Sequence, residues 1–289
     1  MSKRGWLLFL AMAVIWGIPY LLIRIAVRHL NPGVLVLGRT LPAALMMLPL
    51  IASRGQLPLL RKNFFWIATF GVVEFGIPWF LMSTSEKHIT SSLTSLLICA
   101  VPLFAVVAQR IRRTEDHITG RRMLGLAIGA LGVAFLVGLD LGGGSLKWIG
   151  CMMLVALGYT VGPIILATKL THVPGPVVVA GATMVVAICW VPWSITHWPQ
   201  HISGETWSCV AVLSVVCTAA AFLVFFELVK EVGSSRSVVV TYFNTAIAVV
   251  LGITLLNEPL TAGIIVGFPL VLLGCILATG SRRPVSAPV

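Results

Sequence analysis

Ten apolar runs divide the chain, near residues 6–26, 34–52, 64–82, 91–109, 122–139, 148–168, 177–196, 207–227, 236–256 and 261–279. Each is close to the roughly 20 residues that a helix needs to cross a bilayer. Polar breakers separate them, including Asn31-Pro32-Gly33, Gly142-Gly143-Gly144 and Pro174-Gly175-Pro176. The pattern predicts an all-α integral membrane protein of ten transmembrane helices. The first run follows Lys3-Arg4 as a signal peptide would, but it extends from Trp6 to Ile23 with no small-residue cleavage site after it. It reads as a retained helix.

Composition narrows the picture further. Of 289 residues, 58% are hydrophobic and 10% charged, against about 25% charged in a soluble domain. A water-facing surface cannot be built from that mixture, which excludes a soluble enzyme and a nucleic-acid-binding domain. The net charge of +11 follows the membrane instead. With the N-terminus inside, 15 of the 20 Lys and Arg residues fall on the cytoplasmic side, 4 fall outside and Arg39 lies within a run. This bias predicts both termini in the cytoplasm and a place in the plasma (inner) membrane.

A constant offset of 142 residues maps the chain onto itself. It carries Trp6 to Trp148, Pro32-Gly33 to Pro174-Gly175, Phe80-Leu81 to Phe222-Leu223 and Ser92 to Ser234. It also carries Asp116-His117-Ile118-Thr119…Gly125…Gly132 to Glu258-Pro259-Leu260-Thr261…Gly267…Gly274. Two repeats follow, residues 1–142 and 143–289. Five spans per repeat is an odd number, so the second repeat enters the membrane inverted. Secondary transporters recurrently use such a plan, with the cargo site between the repeats. In each copy the Thr of acid-x-x-Thr suits a helix N-cap. Gly125/Gly129/Gly132 and Gly263/Gly267/Gly274 suit close helix contact, within the chain or between two copies as a homodimer.

These motifs resemble the EamA-type branch of the drug/metabolite transporter superfamily. Trp16-Gly17, Arg39, Ser91-Ser92 and Pro102 add to the resemblance. It implies ten helices around a cavity open to one side at a time, and export of small metabolites, often amino acids or drug-like compounds, without ATP. It implies spans 1, 3, 4, 6, 8 and 9 along the path, with 5 and 10 behind. The second copy departs at Gly181, opposite Arg39, and at Asn244, opposite Pro102, so the halves are not equivalent.

Ionisable residues inside spans are functional candidates. Glu74 falls near the middle of span 3, and burial favours the neutral form of a carboxyl, which suits carriage of a proton. Arg39 can snorkel, pair with Glu74 or bind a cargo carboxylate with its planar fork. Aromatic and polar residues at mid-span suit a small amphipathic cargo: Trp16, Tyr20, Trp79, Thr94, Ser95, Tyr159, Thr160, Tyr242 and Asn244. Pro19, Pro102 and Pro163 are candidate helix breaks or hinges. Glu227, beside Lys230 and Glu231, reads as an interfacial charge. The six cysteines form no CxxC pair, and His197-x3-His201 lacks a third ligand. Neither a metal nor a cofactor is expected. The rivals are a lipid or lipid-linked-sugar translocator of the same architecture and, less favoured, an intramembrane enzyme.

Overall fold

A computed structural model of the chain describes residues 2–112, 120–139, 145–233, 237 and 239–279. The described residues are almost entirely helical. We label the principal helices α1 Lys3–Ala26, α2 Pro32–Ser53, α3 Phe64–Ser85, α4 Ser91–Ile111, α5 Gly120–Leu139, α6 Ser145–Lys169, α7 Gly175–Thr196, α8 Gly204–Val232, α9 Val240–Leu256 and α10 Ala262–Thr279. A short helix, Leu57–Lys62, leads into α3.

Seven of these helices (α1–α4 and α6–α8) are long and apolar enough to cross a membrane, and α5, α9 and α10 carry shorter apolar stretches. The chain is a multi-pass membrane protein. Local chemistry sets the helix starts. Ser2, Asn31, Thr90 and Ser203 each accept a backbone N–H of the first turn, and Pro32 sits where its missing N–H is not needed. Thr261 accepts the Ile264 N–H, the capping role expected of the acid-x-x-Thr element. The matching sequence element, Asp116–Thr119, lies outside the described residues.

Two runs end elsewhere than the pattern predicts. Helix α8 continues to Val232 rather than stopping near 227, and α9 begins at Val240 rather than 236. Charge does not end a helix that is leaving an apolar phase. Glu227 bonds Lys230 one turn on at 2.7 Å, and Arg4 from the start of α1 reaches Glu227 at 3.2 Å and Glu231 at 3.7 Å. These exposed pairs tie α1 to α8 at the end of the bundle that holds the N-terminus, here called the near end.

The most extensive helix contacts are α5 on α10 and α2 on α7, followed by α3 on α6 and α1 on α9. Glycines make the first pair. Gly125, Gly129, Gly132, Gly263, Gly267 and Gly274 are all buried. A Cβ on Gly274 would overlap the Gly129 backbone, one on Gly132 would stand 2.6 Å from the Val271 N, and one on Gly267 2.8 Å from the Gly132 O. The glycine stripe is used inside the chain.

Helices α3 and α8 each widen to π geometry, at Val72–Gly76 and Val215–Ala220. In α3, Pro78 cannot donate to the Glu74 carbonyl four residues before it. Helix α4 breaks at Cys99-Ala100, just before Pro102. The carbonyls at that break find partners elsewhere: the Cys275 thiol donates to the Cys99 O at 3.1 Å and the Thr160 hydroxyl to the Val101 O at 3.4 Å. Of the three candidate hinge prolines, Pro102 marks a true interruption. Pro19 and Pro163 lie within continuous helices, and Pro163 is exposed on the outer surface of α6.

Candidate functional site

Each π segment carries a polar side chain into the bundle, Glu74 in α3 and Thr218 in α8. In α8, the Thr218 hydroxyl donates to the Leu213 O at 2.8 Å, five residues back. The Thr218 hydroxyl oxygen in turn accepts the Arg39 Nε–H at 2.9 Å. Arg39 extends from α2, is 6% exposed, and lays its guanidinium over the Trp79 ring 3.6 Å from the centroid. Its Nη1 is buried without a hydrogen-bond partner among the described residues. Trp79 stacks in turn on Phe75 at 4.8 Å, and its indole N–H faces the Tyr159 hydroxyl of α6. Tyr20 of α1, also buried, lies within electrostatic reach of Arg39 and Tyr159. A guanidinium held by one neutral hydroxyl and one aromatic face retains donors for an anionic group.

Trp16 extends the aromatic wall, meeting Phe222 at 5.8 Å and Phe225 at 4.9 Å. Phe222 returns to Phe75 at 5.4 Å. Trp16, Tyr20, Arg39, Trp79 and Tyr159 therefore converge from α1, α2, α3 and α6 on the π segment of α8.

Glu74 sits in the π segment of α3 and points at α6, where a Cβ on Gly162 would overlap its carboxylate. Its Oε2 is buried without a hydrogen-bond partner among the described residues. No ion pair joins Arg39 to Glu74 among the described residues. Tyr159, one turn from Gly162, lies within electrostatic reach of both.

The remaining candidates form a second group where α4, α9 and α10 meet. Asn244 is buried and accepts from Thr245, Thr245 accepts the Cys99 thiol at 3.2 Å, and Tyr242 lies beside Cys275. Thr94 and Ser95 are fully buried, but their hydroxyls bond the carbonyls of Thr90 and Ser92 on their own helix. Thr160 likewise bonds the Ala156 O. Each of these hydroxyls donates to a backbone carbonyl of its own helix. His197 stacks on Trp193, and no cluster able to hold a metal occurs among the described residues.

Sequence reasoning missed two acidic features at the far end of the bundle. Glu258 accepts four hydrogen bonds, from the Ser91 N–H (2.7 Å), the Ser91 hydroxyl (2.9 Å), the Ser92 N–H (3.0 Å) and the Ser92 hydroxyl (2.6 Å). The Glu258 carboxylate thus caps the N-terminus of α4, where the helix dipole favours an anion. Left-handed Asn257 turns the chain into place. Gly252 leaves the room, since a Cβ there would stand 2.5 Å from both the Glu258 Oε2 and the Ser92 Oγ. Both motifs were legible, but not that they bind each other. We expect Glu258→Ala to lower stability by about 2–3 kcal/mol, as loss of charge-assisted bonds does, and Glu258→Gln by about half that. Thermal unfolding in detergent checks both. The second feature is Glu86, which follows α3 directly. It is 0% exposed, and both carboxylate oxygens lack a hydrogen-bond partner among the described residues. Its neighbours Lys87 and His88 gave the segment the look of an ordinary polar loop.

The model of the EamA-like transporter family matches the chain twice, over residues 3–138 and 146–280. The chain belongs to the EamA-like transporter family. Across its length this EamA-like transporter is 25% identical to an uncharacterized inner membrane transporter, YedA, of Escherichia coli strain K12, covering 96% of this chain and 93% of that one. It is 23% identical to an uncharacterized transporter, YoaV, of Bacillus subtilis, over 96% and 97% of the two chains. A probable amino-acid metabolite efflux pump of Salmonella typhimurium is 24% identical over 62% of this chain and 59% of its own. One crystal structure of a protein shares the fold at a TM-score of 0.69 with 16% identity, covering 99% of this chain and 100% of that one.

Proposed function

We propose that this EamA-like transporter is a secondary carrier that exports small metabolites, amino acids or drug-like compounds, by alternating access. Ten spans form two inverted repeats, residues 1–142 and 143–289, and both termini lie in the cytoplasm of a plasma-membrane protein. The double family match, the paired π segments of α3 and α8 and the 15-to-4 charge bias support this reading. The near end is then cytoplasmic.

One observation carries the cargo reading. Arg39 is a buried guanidinium with an unpartnered donor, seated on Trp79 and Thr218 among aromatic side chains. An unpaired charge inside a membrane protein marks a pathway. A carboxylate beside an apolar or aromatic body would satisfy the guanidinium and the wall together. Protons, through Glu74, are the coupling ion this reading admits.

A lateral groove favours a second reading. Leu48, Leu60, Phe64, Gly181, Met184, Val185, Ile188 and Cys189 line an apolar cleft of about 300 Å³ between α2, α3 and α7. It suits an acyl chain, and so a lipid or lipid-linked-sugar translocator. An unfolding assay with a panel of ligands tests both readings, because a ligand stabilises the state that binds it. Neutral and aromatic amino acids are expected to raise the thermal midpoint, with the increase lost in Arg39→Ala. Stabilisation by lipid-linked sugars alone would contradict the metabolite reading.

A further inference from the structure

We propose that Glu86 is a proton-binding site that controls opening of the far end of the bundle. When that end is closed, the carboxyl holds its proton. When it opens, the O–H bond breaks, the proton passes to water, and the carboxylate left behind is solvated.

The geometry makes the carboxyl unsuited to charge where it stands. It is fully buried, with no hydrogen-bond donor on either oxygen among the described residues. A buried anion needs a paired cation or several donors. The facing groups supply neither. From α1, Arg24 directs its guanidinium to the Glu86 backbone carbonyl rather than to the carboxylate, and Tyr20 is a neutral phenol. Arg39 of α2 is engaged with Thr218 and Trp79. From the turn between α9 and α10, Glu258 contributes a second negative charge, its own oxygens already filled by Ser91 and Ser92. Burial, with Glu258 adding to it and Arg24 and Arg39 opposing, holds the Glu86 carboxyl well above the usual carboxylate range.

Glu86 is also placed to report opening. It occupies the short turn between α3 and α4, and Lys87 and His88 beside it are exposed. His88 stacks on Trp148 at 3.9 Å, and the Ser85 hydroxyl meets the Trp148 carbonyl at 3.4 Å. The turn is thereby fastened to α6 on one side and, through Ser91 and Ser92, to the α9–α10 turn on the other. Separating these contacts would admit water to the carboxyl and free Arg24 to pair with it.

The sign follows from linkage. The closed state has the raised pKa, so it binds the extra proton, gains as pH falls and loses as pH rises from the ordinary carboxylate range towards that raised value. This proposal rests on the alternating-access reading for its use in transport, but its test needs no cargo. Hydrogen–deuterium exchange of the purified protein in nanodiscs gives protection factors for residues 86–92 after correction for intrinsic exchange. Protection should fall about tenfold or more between pH 6 and pH 8. In Glu86→Gln it should stay high and flat, and Glu86→Asp, which keeps the carboxyl, should retain the pH dependence and guards against a folding artefact. Flat protection in the wild type, or the same fall in Glu86→Gln, overturns the proposal. So does loss of the fall in His88→Phe, which would assign the titration to the neighbouring imidazole. A protein that transports cargo yet shows flat protection would refute the proton site and leave the carrier reading standing.

Discussion

Arg39→Ala is expected to reduce cargo transport on the order of 100-fold, the equivalent of about 2.7 kcal/mol and within the range for hydrogen bonds to a charged group. The substitution removes the guanidinium that lies over Trp79 and donates to Thr218. It should spare the fold. The Thr218 hydroxyl keeps its bond to the Leu213 carbonyl, and the bundle is relieved of a buried cation. Arg39→Met, closer in volume, separates the loss of charge from the loss of packing and should transport no better. Arg39→Lys keeps the charge but not the planar fork or the Nε donor, and should fall between. Transport rates in proteoliposomes, normalised to monodisperse protein, decide this. Wild-type rates in both Arg39→Ala and Arg39→Met would reduce Arg39 to packing.

Gly274→Leu is expected to have the largest effect on stability. Even a Cβ at Gly274 overlaps the Gly129 backbone, and backbone in a helix cannot yield as a flexible side chain can. Inserting a full Leu should cost about 3 kcal/mol or more by forcing α5 and α10 apart. The expected outcome is loss of monodisperse protein, or a sharply lowered thermal midpoint where some remains. Gly150→Ala serves as the control. Nothing lies within 4 Å of a Cβ at Gly150, and alanine is the better helix former. A Gly274→Leu protein as stable as that control would show that the α5–α10 contact yields freely.

The helices were legible because a span needs an apolar run, and such runs are bounded by polar breakers that the sequence displays, as at Asn31-Pro32-Gly33. The glycine stripes were legible as contact surfaces because a missing side chain has few other uses at helical spacing. What the stripe touched was not legible, since packing within a chain and packing between copies require the same residues. The π segments escaped for a related reason. A one-residue widening leaves the apolar period almost unchanged, and only Pro78 hinted at the lost bond to the Glu74 carbonyl. Arg39 and Glu74 stood out as charges in apolar runs. Their relation did not, because one sits on α2 facing α8 and the other on α3 facing α6, with Tyr159 within reach of both. Thr94 and Ser95 stood out as mid-span hydroxyls, but their bonds to the carbonyls of their own helix did not. Glu86 was hidden by its neighbours, because burial of a residue at a helix end depends on what packs over it.

Counterflow tests the central claim most directly. Proteoliposomes preloaded with an unlabelled neutral or aromatic amino acid are diluted into trace labelled substrate, and label uptake is followed against time. An alternating-access carrier predicts transient accumulation that requires the preloaded cargo, that continues without ATP and that disappears in Arg39→Ala. Uptake that ignores preloading, or that equilibrates without overshoot in both proteins, would contradict the account.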